Sequence, residues 1–146
     1  MNTFANNLSF LKEKSNFNLD AAKILIDEHS CYAPSVHCSY YAVFQYISTT
    51  LNRLGETYEE ISSTINNSRG QRNQLNSHDY PIKLMVNKVT EKSDTYYGNT
   101  VKNKIKELKT FRKIADYDNV QVTIDDSNKA LSLGIEIVSL IKKKLS

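Results

Sequence analysis

Apolar residues along the chain recur at spacings of three and four, the period of a helix with one buried face. The clearest run is Tyr40, Phe44, Ile47, Leu51 and Leu54, which steps by four and three without a miss. It starts after Pro34, a good first-turn residue, and is closed by Gly55. Ahead of it, Phe4, Leu8 and Leu11 predict a short helix that fades at Ser15-Asn16-Phe17-Asn18. Asn18 or Asp20 then caps a second helix with Ala22, Leu25, Ile26 and His29 along one face. Behind it, Tyr58, Ile61 and Ile65 predict a shorter helix, with Glu56, Glu59 and Glu60 where negative charge suits the helix dipole.

The second half continues the pattern with two interruptions. Residues 66–77 hold one apolar side chain and several turn formers, which predicts a loop or broken helix of a length often tied to function. A helix follows from Pro81 with Ile82, Met85, Val86 and Val89 on its face, then a polar break from Glu91 to Thr100. Val101, Ile105, Leu108, Phe111 and Ala115 outline the next helix. Ala130, Gly134, Ile137, Ile141 and Leu145 outline the last, with Asp125, Asp126 or Ser127 as its cap. Val120 to Ile124 alternates and reads as a short extended piece with nothing obvious to pair with. The expected architecture is all-α, an up-and-down bundle of five or six helices forming one domain over residues 1–146.

Composition agrees with one hydrophobic core: 146 residues, 40% hydrophobic and 24% charged, with only four Gly and two Pro to force turns. No apolar run reaches the roughly 20 residues that span a bilayer, and the first seven residues lack the basic-then-apolar order of a secretion signal. A cytoplasmic protein that does not engage a membrane is expected. The net charge of +3 is mild, but Lys102, Lys104, Lys106, Lys109, Arg112 and Lys113 crowd one stretch and Lys142, Lys143 and Lys144 another. These are either solvated helix surface or a phosphate-contacting face.

Metal chemistry is not expected. His29, Cys31, His37 and Cys38 are close in sequence, yet zinc needs its ligands within about 2.0 to 2.3 Å of one point, and on helices these offsets diverge. Cys31 and Cys38 would stand about 10 Å apart along one helix, too far for a disulfide, so reduced thiols are expected. No cofactor is called for.

Three segments carry a resemblance. Ala21-Ala22-Lys23-Ile24-Leu25-Ile26, Tyr32-Ala33 and Tyr40-Tyr41-Ala42-Val43-Phe44 are similar to the first half of HEPN domains. Arg112-Lys113-Ile114-Ala115-Asp116-Tyr117, followed by an amphipathic terminal helix, resembles their second half, so the resemblance spans about residues 18 to 145. The catalytic motif of that family is an Arg, usually followed by a polar residue, and a His after four to six more. Arg72-Asn73-Gln74-Leu75-Asn76-Ser77-His78 fits it, with Asn73 as the polar second residue. In toxin members a Tyr two places after the His, here Tyr80, is modified by a nucleotidyltransferase partner.

The resemblance implies a metal-independent endoribonuclease of the toxin or phage-defence type, acting on RNA as a homodimer. Its composite site would pair Arg72, Asn73 and His78 of two copies across a cleft, with a nucleotidyltransferase antitoxin as a further partner. It also admits a catalytically silent module that binds a nucleotide or such a nucleotidyltransferase. The residue types suit the first role: an imidazole titrates near neutrality, and a guanidinium offers paired donors to phosphate. Six positions along a regular helix turn through about 600°, so Arg72 and His78 meet only if the helix breaks or a second copy contributes. Apart from the resemblance, Arg72 is a loop arginine and His78 a capping histidine whose truncation costs little stability. Arg112 and Asp116, four apart, form an internal salt bridge, or with Tyr117 they face the cleft and orient the site.

Overall fold

The computed structural model describes residues 3–146, with side chains described from Phe10 onward. Six helices account for most of them: α1 Thr3–Asp27, α2 Tyr32–Arg53, α3 Tyr58–Asn67, α4 Asp79–Lys92, α5 Thr95–Tyr117 and α6 Ile124–Leu145. No strand occurs among the described residues. The fold is an all-α bundle.

Helix α2 is its axis. Val36, Tyr40, Val43, Ile47 and Leu51 are buried in a core completed by Met85 and Val89 of α4, Val101, Ile105 and Leu108 of α5, and Ile137 and Ile141 of α6. Antiparallel order is visible in the contacts. Thr90 meets Gly98 where α4 turns into α5, and Lys104 pairs with Glu136 at 3.0 Å between α5 and α6. The short helix α3 has no buried residue and rests on the core only through the partly buried Ile61.

Helix α1 departs from expectation, running unbroken through Ser15 to Asn18. Ser15 is buried and its Oγ donates to the Ala42 carbonyl at 2.7 Å, while Asn18 Nδ2 donates to Gln45 Oε1 at 2.8 Å. Polar side chains that would end a helix in water are here satisfied by α2, so the backbone keeps its own ladder. Ala22 and Ile26 are buried as their spacing predicts. The face assigned to Phe4 and Leu8 lies outside the described side chains.

Three smaller expectations change. The break between Glu91 and Thr100 shrinks to Ser93-Asp94, because Asp94 Oδ1 accepts the Tyr97 N–H at 2.7 Å and starts α5 at Thr95. The alternating Val120–Ile124 stretch forms no strand among the described residues: it connects α5 to α6, and Ile124 is already the first residue of α6. Thr123, not Asp125, Asp126 or Ser127, is the N-cap of α6: its Oγ1 accepts the Asp126 N–H at 3.1 Å, and Asp126 Oδ2 accepts the Thr123 N–H at 3.1 Å. Gly55 closes α2 with φ +94°, a conformation in which other residues are strained.

Gly98 is required for a different reason. A Cβ there would stand 2.0 Å from Thr90 Oγ1 and 3.1 Å from Thr90 Cβ, so α4 and α5 approach closely because one of them lacks a side chain. Gly98→Ala should therefore destabilise the protein by about 1 to 3 kcal/mol, the usual cost of overpacking. Adding Thr90→Ala removes the nearest atom and should recover part of that loss in thermal unfolding. Strictly additive losses in the double variant would show that the two positions do not meet.

Candidate active site

The polar stretch after α3 is a closed loop rather than a broken helix. Ser68 is buried; its Oγ donates to the Ile65 carbonyl at 2.6 Å and accepts the Leu75 N–H at 2.8 Å, tying the loop's two ends together. Asn76 then starts the next helical turn, its Oδ1 accepting the N–H of His78 at 2.7 Å and of Asp79 at 3.2 Å. Asn76 thus does the capping that His78 was expected to do, which frees the imidazole for other contacts.

That imidazole sits on the aromatic face of α2. Its ring centroid lies 4.6 Å from that of Phe44 and 6.0 Å from that of Tyr40, and it stands edge-on to Tyr41 at 6.2 Å. Nδ1 is 3.1 Å from Tyr40 Oη, and Nε2 has no hydrogen-bond partner among the described residues. Burial, then the positive charges of Arg112 and Lys109, lower its pKa, with Asp79 opposing them. Tyr40 is pushed up to about 12, chiefly by burial, and stays protonated at any working pH.

Arg112 holds the neighbouring position from α5. Its guanidinium carbon lies 5.1, 5.7 and 5.6 Å from the ring centres of Tyr40, Tyr41 and Tyr117. Nη2 donates to Tyr41 Oη at 3.3 Å. Nε is 3.0 Å from Asp116 Oδ2, close enough to pair, but its N–H is not aimed at that oxygen. The Asp116 carboxylate is shared: His37 Nδ1 lies 3.1 Å from Oδ2 and 3.2 Å from Oδ1, with the His37 ring against Tyr41 at 4.5 Å. An ionised carboxylate only accepts, so His37 carries its proton on Nδ1 in this contact. The internal ion pair of Arg112 with Asp116 is present, and the same carboxylate reaches His37 on α2.

These contacts bring together His78, Arg112, Asp116 and Tyr117, and they add Tyr40, Tyr41, Phe44 and His37. In the sequence His37 stands out only as a residue type that can bind metal, and nothing in the chain signals a partner 79 residues away. Arg72 and Asn73 stand elsewhere, exposed in the loop with no hydrogen bond or ion pair among the described residues. Tyr80 is half-buried in the first turn of α4, its N–H bonded to the Asn76 carbonyl at 3.0 Å. Among the described residues no group of three His, Cys, Asp or Glu side chains converges to hold a metal ion. Cys31 and Cys38 are free thiols, and burial pushes Cys38 upward in pKa.

All these groups lie at one end of the bundle, where α1 and α5 finish and α2, α4 and α6 begin. Fold and site together define a helical-bundle protein with an aromatic cluster that holds a histidine and an arginine. A family model for the HEPN domain matches residues 8–145, nearly the whole chain, and the chain belongs to that family. No curated protein and no solved structure gives a significant match. No helix among the described residues is long and apolar enough to cross a membrane.

The lowered pKa yields a direct measurement. His78 should titrate below the ordinary value of about 6.5 in a nuclear magnetic resonance pH series. Because the unfolded chain binds this proton more readily, the group's contribution to stability is present above pH 6.5 and lost as pH falls through the folded pKa. Lys109→Gln should move the titration upward on two counts: it removes a nearby cation and frees the Asp79 carboxylate that Lys109 now pairs with. An unchanged titration in that variant would leave the shift to burial and Arg112.

Proposed function

We propose that this chain is a metal-independent endoribonuclease of the toxin or phage-defence kind, acting as a homodimer. The observation that carries the reading is His78: an imidazole kept neutral near pH 7, with Nδ1 engaged by Tyr40 and Nε2 open, beside the fixed charge of Arg112. In this mechanism Nδ1–H donates to Tyr40 Oη and Nε2 takes the proton of a ribose 2′-OH. The 2′ oxygen attacks the adjacent phosphorus, the bond to the 5′ oxygen breaks, and that oxygen takes up a proton from a protonated imidazole. The products are a 2′,3′-cyclic phosphate and a 5′-hydroxyl. Arg72, steadied by Asn73, stabilises the negative charge on the phosphate oxygens. Arg112, Asp116 and Tyr117 hold the His78 surroundings in place.

Arg72 and Asn73 are not in contact with the His78 cluster within one chain, which is why the proposal includes a second copy that supplies them. The surface for it is not α2, most of whose apolar residues are buried in or packed against the core. Instead Ile24, Tyr117, Val120 and Ile124, all at the site's end of the bundle, are 46, 72, 59 and 47% exposed. A two-fold contact there covers these residues and faces two sites toward each other. Sedimentation should show a dimer at tens of micromolar, and Val120→Glu should shift it to monomer. A wild-type chain that stays monomeric would remove the composite site.

The same separation of Arg72 from His78 favours a second reading, a catalytically silent module that binds a nucleotide or a nucleotidyltransferase which modifies Tyr80. Cleavage of a fluorescent single-stranded RNA decides between them. Arg72→Ala and His78→Gln should each slow cleavage by roughly 10² to 10⁴, the usual cost of losing a phosphate clamp or a general base. EDTA should leave the rate unchanged. Arg72→Ala should cost no more than about 0.5 kcal/mol of stability, as for other exposed positions. His78 packs on Phe44 and is not a free loop residue, so glutamine is the milder replacement there. Arg69→Ala, in the same loop and of the same charge, should behave as wild type. Equal losses in Arg72→Ala and Arg69→Ala would mean general electrostatics, and a wild-type chain without cleavage would leave the silent module.

A further inference from the structure

A groove of about 570 Å³ runs between α4 and α5, beginning beside the site. Its floor is aliphatic, made by Ile82, Val86 and Ile105. Its rim is almost entirely positive: Lys83 on α4, and Lys102, Lys106, Lys109 and Lys113 on α5, with Asp79 as the one carboxylate. Asp79 is bound to Lys109. The other four lysines have no ion-pair partner among the described residues. On the opposite side of α5, Glu107, Asp125 and Glu136 line a separate hollow toward α6. Charge along α5 is thus sorted by face, and Lys104, which pairs with Glu136, belongs to the other side.

This arrangement is costly without a counterion. Lys102 and Lys106, and likewise Lys109 and Lys113, are four apart on one helix, a spacing at which like charges repel. The stretch from Lys102 to Lys113 covers about 16 Å of helix, a row rather than a point. A folded protein partner would ask for a broader apolar centre with aromatic anchors, and this floor has three aliphatic side chains and none. A chain of phosphates asks for a row of cations along a narrow track. The end at Asp79 and Lys109 adjoins His78, so a strand lying in the groove is delivered to the imidazole.

We infer that the α4–α5 groove binds the phosphate backbone of single-stranded RNA and leads it to His78. The inference rests on the ribonuclease reading for the choice of RNA, but binding is measurable without cleavage. The probe is a fluorescent 2′-O-methyl oligoribonucleotide, which has no free 2′-OH to react, titrated with the full chain at several salt concentrations. Lys102→Gln/Lys106→Gln should weaken binding about tenfold at low salt. It should also flatten the plot of log affinity against log salt by about 1.4, as expected for two lost phosphate contacts on a single strand. Lys142→Gln/Lys143→Gln, an equal charge loss at the end of α6, should bind as wild type. Equal weakening in the two double variants, no binding by wild type, or poly-glutamate displacing the RNA at equal charge concentration would each overturn the inference. Groove-dependent binding by a wild-type chain that never cleaves RNA would instead fail the ribonuclease reading alone. Cleavage that depends on His78 but not on Lys102 and Lys106 would fail the groove alone.

Discussion

Arg112 carries a permanent charge into the seam between α2 and α5, where its side chain is only 13% exposed, and much of the surrounding architecture answers to that constraint. A guanidinium removed from water needs replacements for the hydration it loses. Three tyrosine ring faces, one tyrosine hydroxyl and the Asp116 carboxylate supply them. Each of those groups is then unavailable for another place. Tyr40 and Tyr41 must present their faces to α5, Asp116 must turn back toward α2, and His37 is captured by the same carboxylate. The charge also reaches His78 and disfavours its protonation.

The packing of α1 on α2 is the second organising fact. Where α2 packs against α1, buried polar groups of the two helices find partners in each other. Ser35 Oγ donates to the Ala22 carbonyl at 2.9 Å, Ser15 donates to Ala42, and Asn18 meets Gln45. These bonds hold α1 straight through a segment that would fray alone. They also set the α1–α2 register, which puts the end of α1 and the start of α2 at the same end of the bundle as His78 and Asp116.

The candidate site follows from how the helices terminate. Asn76 caps the first turn of α4 and aims His78 inward, while Ser68 closes the preceding loop and leaves Arg72 and Asn73 outside. Helix ends and a tied loop place the imidazole against the aromatic face of α2 and leave the guanidinium of Arg72 on the exposed loop. The basic groove begins at the same corner because α4 and α5 are antiparallel and drawn together by Gly98 at the far end.

The chain's own periodicity determined that the protein is an all-helical bundle of about this size and named much of the core of α2, α4, α5 and α6, though Leu54, expected on the buried face of α2, is exposed. Those features come from spacing of three and four, which is local. Membership of the family was likewise legible, since Tyr40-Tyr41-Ala42 and Arg112 to Tyr117 are contiguous segments. What spacing cannot carry is the satisfaction of polar groups by distant ones. Ser15 and Asn18 looked like a helix end, His78 like a cap, and His37 like a stray ligand, because the partners that change their meaning are 27, 38 and 79 residues away. Which lysines form a row and which are neutralised was equally a tertiary matter, decided by the packing of α4 and α6 on opposite faces of α5 and by charge acting through space rather than along the chain.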